Sequence, residues 1–157
     1  MFAHARGVLY AMGGSGGGLT CYMDKGQLVY EYNLMIIDRS IAKSQEKLAP
    51  GKHTIHIDMA YNGPGMGKSA TGTLSVDGKQ VAQGKIERTV PLRFSLDETI
   101  DVGEDTGTPV VEDYVNKMPF KFTGELKKVV IELGKSGLAA GDEKKIEAAR
   151  KLAAIRE

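Results

Sequence analysis

Gly72-Thr73-Leu74-Ser75-Val76-Asp77-Gly78-Lys79-Gln80-Val81-Ala82-Gln83-Gly84-Lys85-Ile86 decides the fold of this chain. Leu74 and Val76 alternate with Thr73 and Ser75, the period of a strand that buries one face. Asp77-Gly78 supplies the positive φ that a tight hairpin corner needs. Val81 to Arg88 then returns beside the first arm.

The same pattern extends outward in both directions. Ile55, Ile57, Met59 and Tyr61 alternate against Thr54, His56, Asp58 and Ala60. Leu19 to Asp24 and Gln27 to Asn33 flank the turn Asp24-Lys25-Gly26 and read as a second hairpin. In its second arm Leu28, Tyr30 and Tyr32 share one face, with Val29, Glu31 and Asn33 on the other. Gly7 to Met12 is a short apolar run, Phe120 and Phe122 alternate, and Leu126 to Leu133 is a last strand-like stretch. Between Gly7 and Gly141 only Ile41 to Leu48 suits a helix, and it stops before Pro50. Parallel sheets need long crossovers, and none is present. The expectation is an all-β, two-sheet antiparallel sandwich, jelly-roll-like, over residues 1–137, followed by a helical tail over 138–157. In that tail Asp142 suits an N-cap, and Ile146, Ala149, Leu152, Ala153 and Ile155 make a thin apolar stripe.

At 157 residues the chain is long enough to enclose a core without a metal or disulfide staple. Its 21 basic and 20 acidic residues give a net charge of +1, with no electrostatic footprint for nucleic acid or an anionic membrane. One cysteine excludes an internal disulfide framework and a cysteine zinc cage. No apolar run approaches a membrane span, and Met1 to Arg6 is too short and polar for a signal peptide.

Several constellations imitate chemistry. Asn62 to Ser69 ends in Gly-Lys-Ser, but Gly63 lies one residue too near for a phosphate loop and a strand follows. Gly13-Gly14-Ser15-Gly16-Gly17 fits Gly-x-Ser-x-Gly, yet a nucleophile elbow needs a helix after it. His53 and His56 would send their rings to opposite faces of a strand, while His56 shares a face with Asp58. Cys21 reads as a small buried hydrophobe. Tyr30, Tyr32 and Tyr61 fall on apolar faces, leaving Tyr10, Tyr22 and Tyr114 as candidate surface rings. With no Trp, a sugar platform is weakened.

The acidic run is the most informative of these pieces. Asp97, Glu98, Asp101, Glu104, Asp105, Glu112 and Asp113 crowd together without one Lys or Arg. Asp101, Asp105 and Glu112 take the first, fifth and twelfth places of a calcium loop, but Gly103 and Thr106 fail the third and sixth. A hydrogen-bonded turn cluster is the competing expectation.

Three runs carry a resemblance: Gly51 to Ile55, Gly72 to Ile86, and Phe94-Ser95-Leu96-Asp97-Glu98-Thr99-Ile100-Asp101-Val102-Gly103-Glu104-Asp105-Thr106-Gly107-Thr108-Pro109-Val110. With Leu28 to Asn33 ahead of them, they resemble the C-terminal region of large bacterial arylsulfatases. The Asp77-Gly78 hairpin also resembles those of concanavalin-A- and laminin-G-like sandwiches. The resemblance implies a parent enzyme that cleaves sulfate esters with a formylglycine nucleophile and a calcium ion, both in an upstream α/β domain. Around Cys21 the formylglycine motif fails at Met23 and Lys25, so no catalytic residue carries over. What is implied is a non-catalytic accessory domain packed on a sulfatase catalytic domain or another protein partner. Met1 to Arg6 would then be a cut or a new start, in a bacterial cytoplasm or periplasm. The alternative is a freestanding lectin-like module for glycan or sulfated sugar, with Arg39, Lys43 and Arg88 as the cations that would meet sulfate. A homo-oligomer is a further expectation, and a small hydrolase using the acidic run is a third class.

Overall fold

The computed structural model describes residues 5–91, 100–135 and 140–154. Two antiparallel sheets face each other. The larger is built from β1 (Gly7–Gly14), β2 (Gly17–Asp24), β3 (Gln27–Leu34), β4 (Asp38–Lys43) and the short β8 (Ile100–Val102), in the order β4-β3-β2-β1-β8. The smaller is β5 (Ile55–Tyr61), β6 (Ala70–Val76) and β7 (Lys79–Ile86), in chain order. The two-sheet expectation is met, and each sheet is a run of consecutive hairpins apart from β8.

The corners explain the registers. Asp77 and Gly78 both take positive φ, 51° and 80°, and Val76 pairs with Lys79 across them. Lys25 and Gly26 do the same, at 50° and 85°, between Asp24 and Gln27. Two positive-φ residues twist a two-residue loop in the sense the strands require.

Between the sheets lies the main core. Leu28, Tyr30, Tyr32 and Leu34 of β3 and Cys21 and Met23 of β2 meet Ala70, Leu74 and Val76 of β6 and Ile86 of β7. The sheets touch most closely where β4 meets β7: a Cβ added to Gly84 would lie 3.0 Å from the Ile41 carbonyl oxygen.

A second core covers the opposite face of the large sheet. Val8, Ala11, Tyr22 and Val29 pack there against Val110, Val111, Tyr114 and Phe120. These last come from an irregular layer after β8 that holds one 3-10 turn, Glu112–Lys117. A bulge in β1, where Val8 pairs with Tyr22 but Tyr10 with Cys21, lets Val8 and Ala11 share this face. Tyr22 and Tyr114 are therefore buried, not surface rings. Their centroids lie 5.2 Å apart edge-to-face, and Phe120 lies 5.6 Å from Tyr114.

Three further expectations are corrected. Ile41 starts no helix: residues 38–43 form β4, because pairing with β3 buries Ala42 in the core. Leu126 to Leu133 forms no strand and joins no sheet among the described residues. The tail helix α1 spans Ala140–Ala154, which puts Asp142 inside the first turn rather than at the cap. No helix among the described residues is long and apolar enough to cross a membrane.

Candidate functional site

Asn33 is the pin of the site. It sits near the end of β3, on the face covered by the irregular layer, and is buried. Its Nδ2 donates to the carbonyls of Ser15, at 3.1 Å, and Val110, at 2.9 Å. Its Oδ1 accepts from the Ile36 N–H at 2.9 Å. One amide thus ties together the glycine loop between β1 and β2, the end of the acidic run, and the β3–β4 turn. A burial of this kind stands only because donor and acceptor are both satisfied.

The β3–β4 turn is Met35-Ile36-Ile37, and it is unusual. Its three side chains are 54%, 64% and 73% exposed. Met35 and Ile36 take φ of 51° and 62°, a region a β-branched residue such as Ile36 rarely enters. Besides Asn33, the Ile37 N–H donating to the Leu34 carbonyl at 2.8 Å holds the turn. Met35 lies beside Gly17 and Val90: its Cγ would be 3.8 Å, and Val90 Cγ2 3.4 Å, from a Cβ placed on Gly17. An apolar tip therefore stands at the end of the sandwich where these loops meet.

Below the tip the acidic run is spent on the protein itself. Asp105 is buried, and its Oδ2 accepts from the Tyr114 hydroxyl at 2.5 Å and the Val110 N–H at 3.1 Å. The Tyr114 hydroxyl also reaches Thr20 Oγ1 at 3.3 Å. Burial, then the hydrogen bond and charge of Asp105, hold the Tyr114 hydroxyl far above its ordinary range. Asp101 Oδ2 accepts from the Thr106 N–H at 2.6 Å and its hydroxyl at 2.8 Å. Glu112 is exposed at the start of the 3-10 turn. Asp101, Asp105 and Glu112 are not drawn into one cage: among the described residues no group of three or more His, Cys, Asp or Glu side chains gathers to hold a metal ion. Asp97 and Glu98 lie outside the described residues.

The three candidate cations part company. Arg39 donates from Nε to Glu31 Oε1 and from Nη2 to Asp113 Oδ1 at 2.8 Å, so its guanidinium bridges the sheet to the irregular layer. Glu31 is fully buried, and its Oε2 has no hydrogen-bond partner. Burial pushes the Glu31 carboxyl up, further than the bond and charge of Arg39 pull it down. Lys43 is exposed, two positions beyond Ile41 on β4, and Arg88 is exposed past the end of β7. Nothing in this arrangement converges three cations on one anion.

The decoys resolve simply. Ser15 lies in the turn before β2, with a strand after it. Asn62 to Ser69 closes the β5–β6 hairpin: the Asn62 N–H donates to the Ser69 carbonyl at 2.9 Å, and the Tyr61 hydroxyl accepts from the Lys68 N–H at 3.1 Å. Cys21 is buried, and burial pushes its thiol up to about 12. His56 and Asp58 are exposed on β5. His53 precedes β5 and bonds elsewhere: Nδ1 to Asp77 Oδ2 at 2.7 Å and Nε2 to the Ala49 carbonyl at 2.8 Å. Its partner lies 24 positions away, beyond any local spacing rule.

No protein-family model, curated protein or solved structure matches this chain.

Proposed function

We propose that this chain is a non-catalytic accessory β-sandwich that docks on a protein neighbour through the Met35-Ile36-Ile37 tip. The tip is the observation that carries the proposal. A two-residue Asn-Gly corner would close the same hairpin with neither strain nor exposed hydrocarbon. Here three large apolar side chains stand in water. Ile36 holds a backbone conformation that costs on the order of 1–3 kcal/mol. Burial against a partner recovers the exposed hydrocarbon and offsets the strain, since apolar area removed from water stabilises by roughly 25 cal/mol per Å². Asn33 fixes the tip before the partner arrives, which lowers the ordering cost of binding.

The resemblance of the three sequence runs to arylsulfatase C-terminal regions is what supports a choice of neighbour. It would be the catalytic half of a sulfate ester hydrolase, with this domain shaping the approach to its site. The pairing of Arg39 with Glu31 and Asp113 argues against its serving as a sulfate clamp in a free lectin.

A photo-crosslinking amino acid at Ile37, in the chain expressed in its native cell, tests the proposal. Capture of a sulfatase-type catalytic domain supports it. Capture of an unrelated protein keeps the docking role and removes the sulfatase neighbour, and no protein adduct at all overturns both.

A further inference from the structure

Residues 125–135 are exposed and belong to no strand. Among the described residues their backbone groups make no backbone hydrogen bond. Yet Val129-Val130-Ile131 is rich in β-branched side chains, and Val130, Ile131 and Leu133 are 60%, 52% and 92% exposed. A β-prone strand without a ladder is half of an interaction.

The other half is on the same chain. β5 is an outer strand of the small sheet, and nothing among the described residues pairs with its far edge. Ile55, Ile57 and Tyr61 pack inward on the core, while His56, Asp58 and Ala60 are exposed. Within 126–133, Lys127, Val129, Ile131 and Leu133 fall on one face and Leu126, Lys128, Val130 and Glu132 on the other.

We infer that the segment 126–133 of one copy adds as an antiparallel strand to the β5 edge of a second copy. One register fits both faces. With Lys128 opposite Asp58, Val129 meets Ile57, Ile131 meets Ile55, and Val130 meets His56. The continued apolar face closes over the core, and an opposite-charge pair forms on the outer face. Asp58 also disfavours the rival contact. Two β5 edges paired about their centre would set Asp58 against Asp58, a like-charge pair that destabilises a ladder. The partner is therefore the Lys128 segment of a second chain rather than its β5.

Sedimentation velocity of the full chain over a concentration series tests this. Consecutive residues turn their N–H groups to opposite sides, so Val129→Pro/Val130→Pro removes a ladder donor in either phase. The expected result is concentration-dependent assembly of the natural chain, abolished by the double proline variant without any change in its Tm. Asp58→Lys or Lys128→Asp alone weakens assembly, and the two together restore it. A chain that stays monomeric throughout overturns the inference, as does assembly that survives the prolines. A lowered Tm in the dilute proline variant also overturns it, because the segment would then pair within its own chain. Assembly lost on replacing Met35-Ile36-Ile37 but kept in the proline variant would place the contact at the tip instead.

Discussion

Replacing Arg39 with Ala should strand Glu31, a carboxylate buried on β3 of the large sheet. Arg39 donates to Glu31 Oε1, and among the described residues Oε2 has no hydrogen-bond partner. Breaking a fully buried ion pair costs on the order of 3–5 kcal/mol. Arg39 is itself about one-third exposed, so water can reach the vacated place. We therefore expect about 2–3 kcal/mol at neutral pH, or a Tm lower by about 4–12 °C for a chain of this size. The loss should depend on pH in a stated sense. The Glu31 carboxyl is raised above its ordinary 4.5 in the folded state, so between the two values the folded chain binds more protons than the unfolded one. Stability from this group then falls as pH rises through that window. Removing Arg39 raises the folded value further, so the Arg39→Ala deficit shrinks as the buffer is made more acidic and Glu31 takes up its proton. Glu31→Gln in the Arg39→Ala background should recover at least about 1 kcal/mol, because a neutral amide is cheaper to bury than a stranded carboxylate. Thermal melts of the three proteins at two pH values decide the matter. An Arg39→Ala chain melting within about 1 °C of the natural one at neutral pH refutes the reasoning. So does the absence of recovery by Glu31→Gln.

Three other expectations concern separate parts of the molecule. The His53 imidazole has an acceptor at each nitrogen, so its protonated form is favoured by Asp77 first and the Ala49 carbonyl second. Its stabilising effect is complete below the ordinary value of 6.5 and is lost as pH rises through the raised folded value, a change below about 1 kcal/mol at so open a site. An NMR titration of the ring, and the vanishing of this pH dependence in His53→Gln, check it. Cys21 should resist a thiol reagent in the folded chain and react at once in denaturant, since its buried thiol ionises only near 12. Gly72→Ala should lower stability by about 1–3 kcal/mol in denaturant melts, because the new Cβ would lie 2.6 Å from Tyr30 Cε1 in the core between the sheets.

What the sequence disclosed follows from what is local. Asp77-Gly78 and Lys25-Gly26 carry their corners in their own backbone preferences, and period-two alternation put Leu28, Tyr30 and Tyr32 on the core face. The second core was hidden, because alternation in β3 says that Val29, Glu31 and Asn33 share a face but not that an irregular layer covers it. For the same reason Tyr22 and Tyr114 looked available as surface rings. Ile41 to Leu48 has helical propensity that strand pairing with β3 overrides. The acidic run was legible as a concentration of charge. Its division into a buried Asp105, a turn-capping Asp101 and an exposed Glu112 depends on Tyr114, Val110 and Thr106, contacts that only the folded chain makes. Met35-Ile36-Ile37 drew no expectation; its signal was that no polar turn residue separates two strands there.

The docking role stands or falls with that tip. The direct measurement replaces Met35-Ile36-Ile37 by Asn-Gly-Ser, which puts Asn and Gly at the two positive-φ positions, and compares partner capture in the native cell with the Tm of the isolated chain. We expect a Tm equal to or above that of the natural protein, since strain and exposed hydrocarbon are both removed, together with loss of the captured neighbour. Capture undiminished in a chain that melts normally would contradict the proposal.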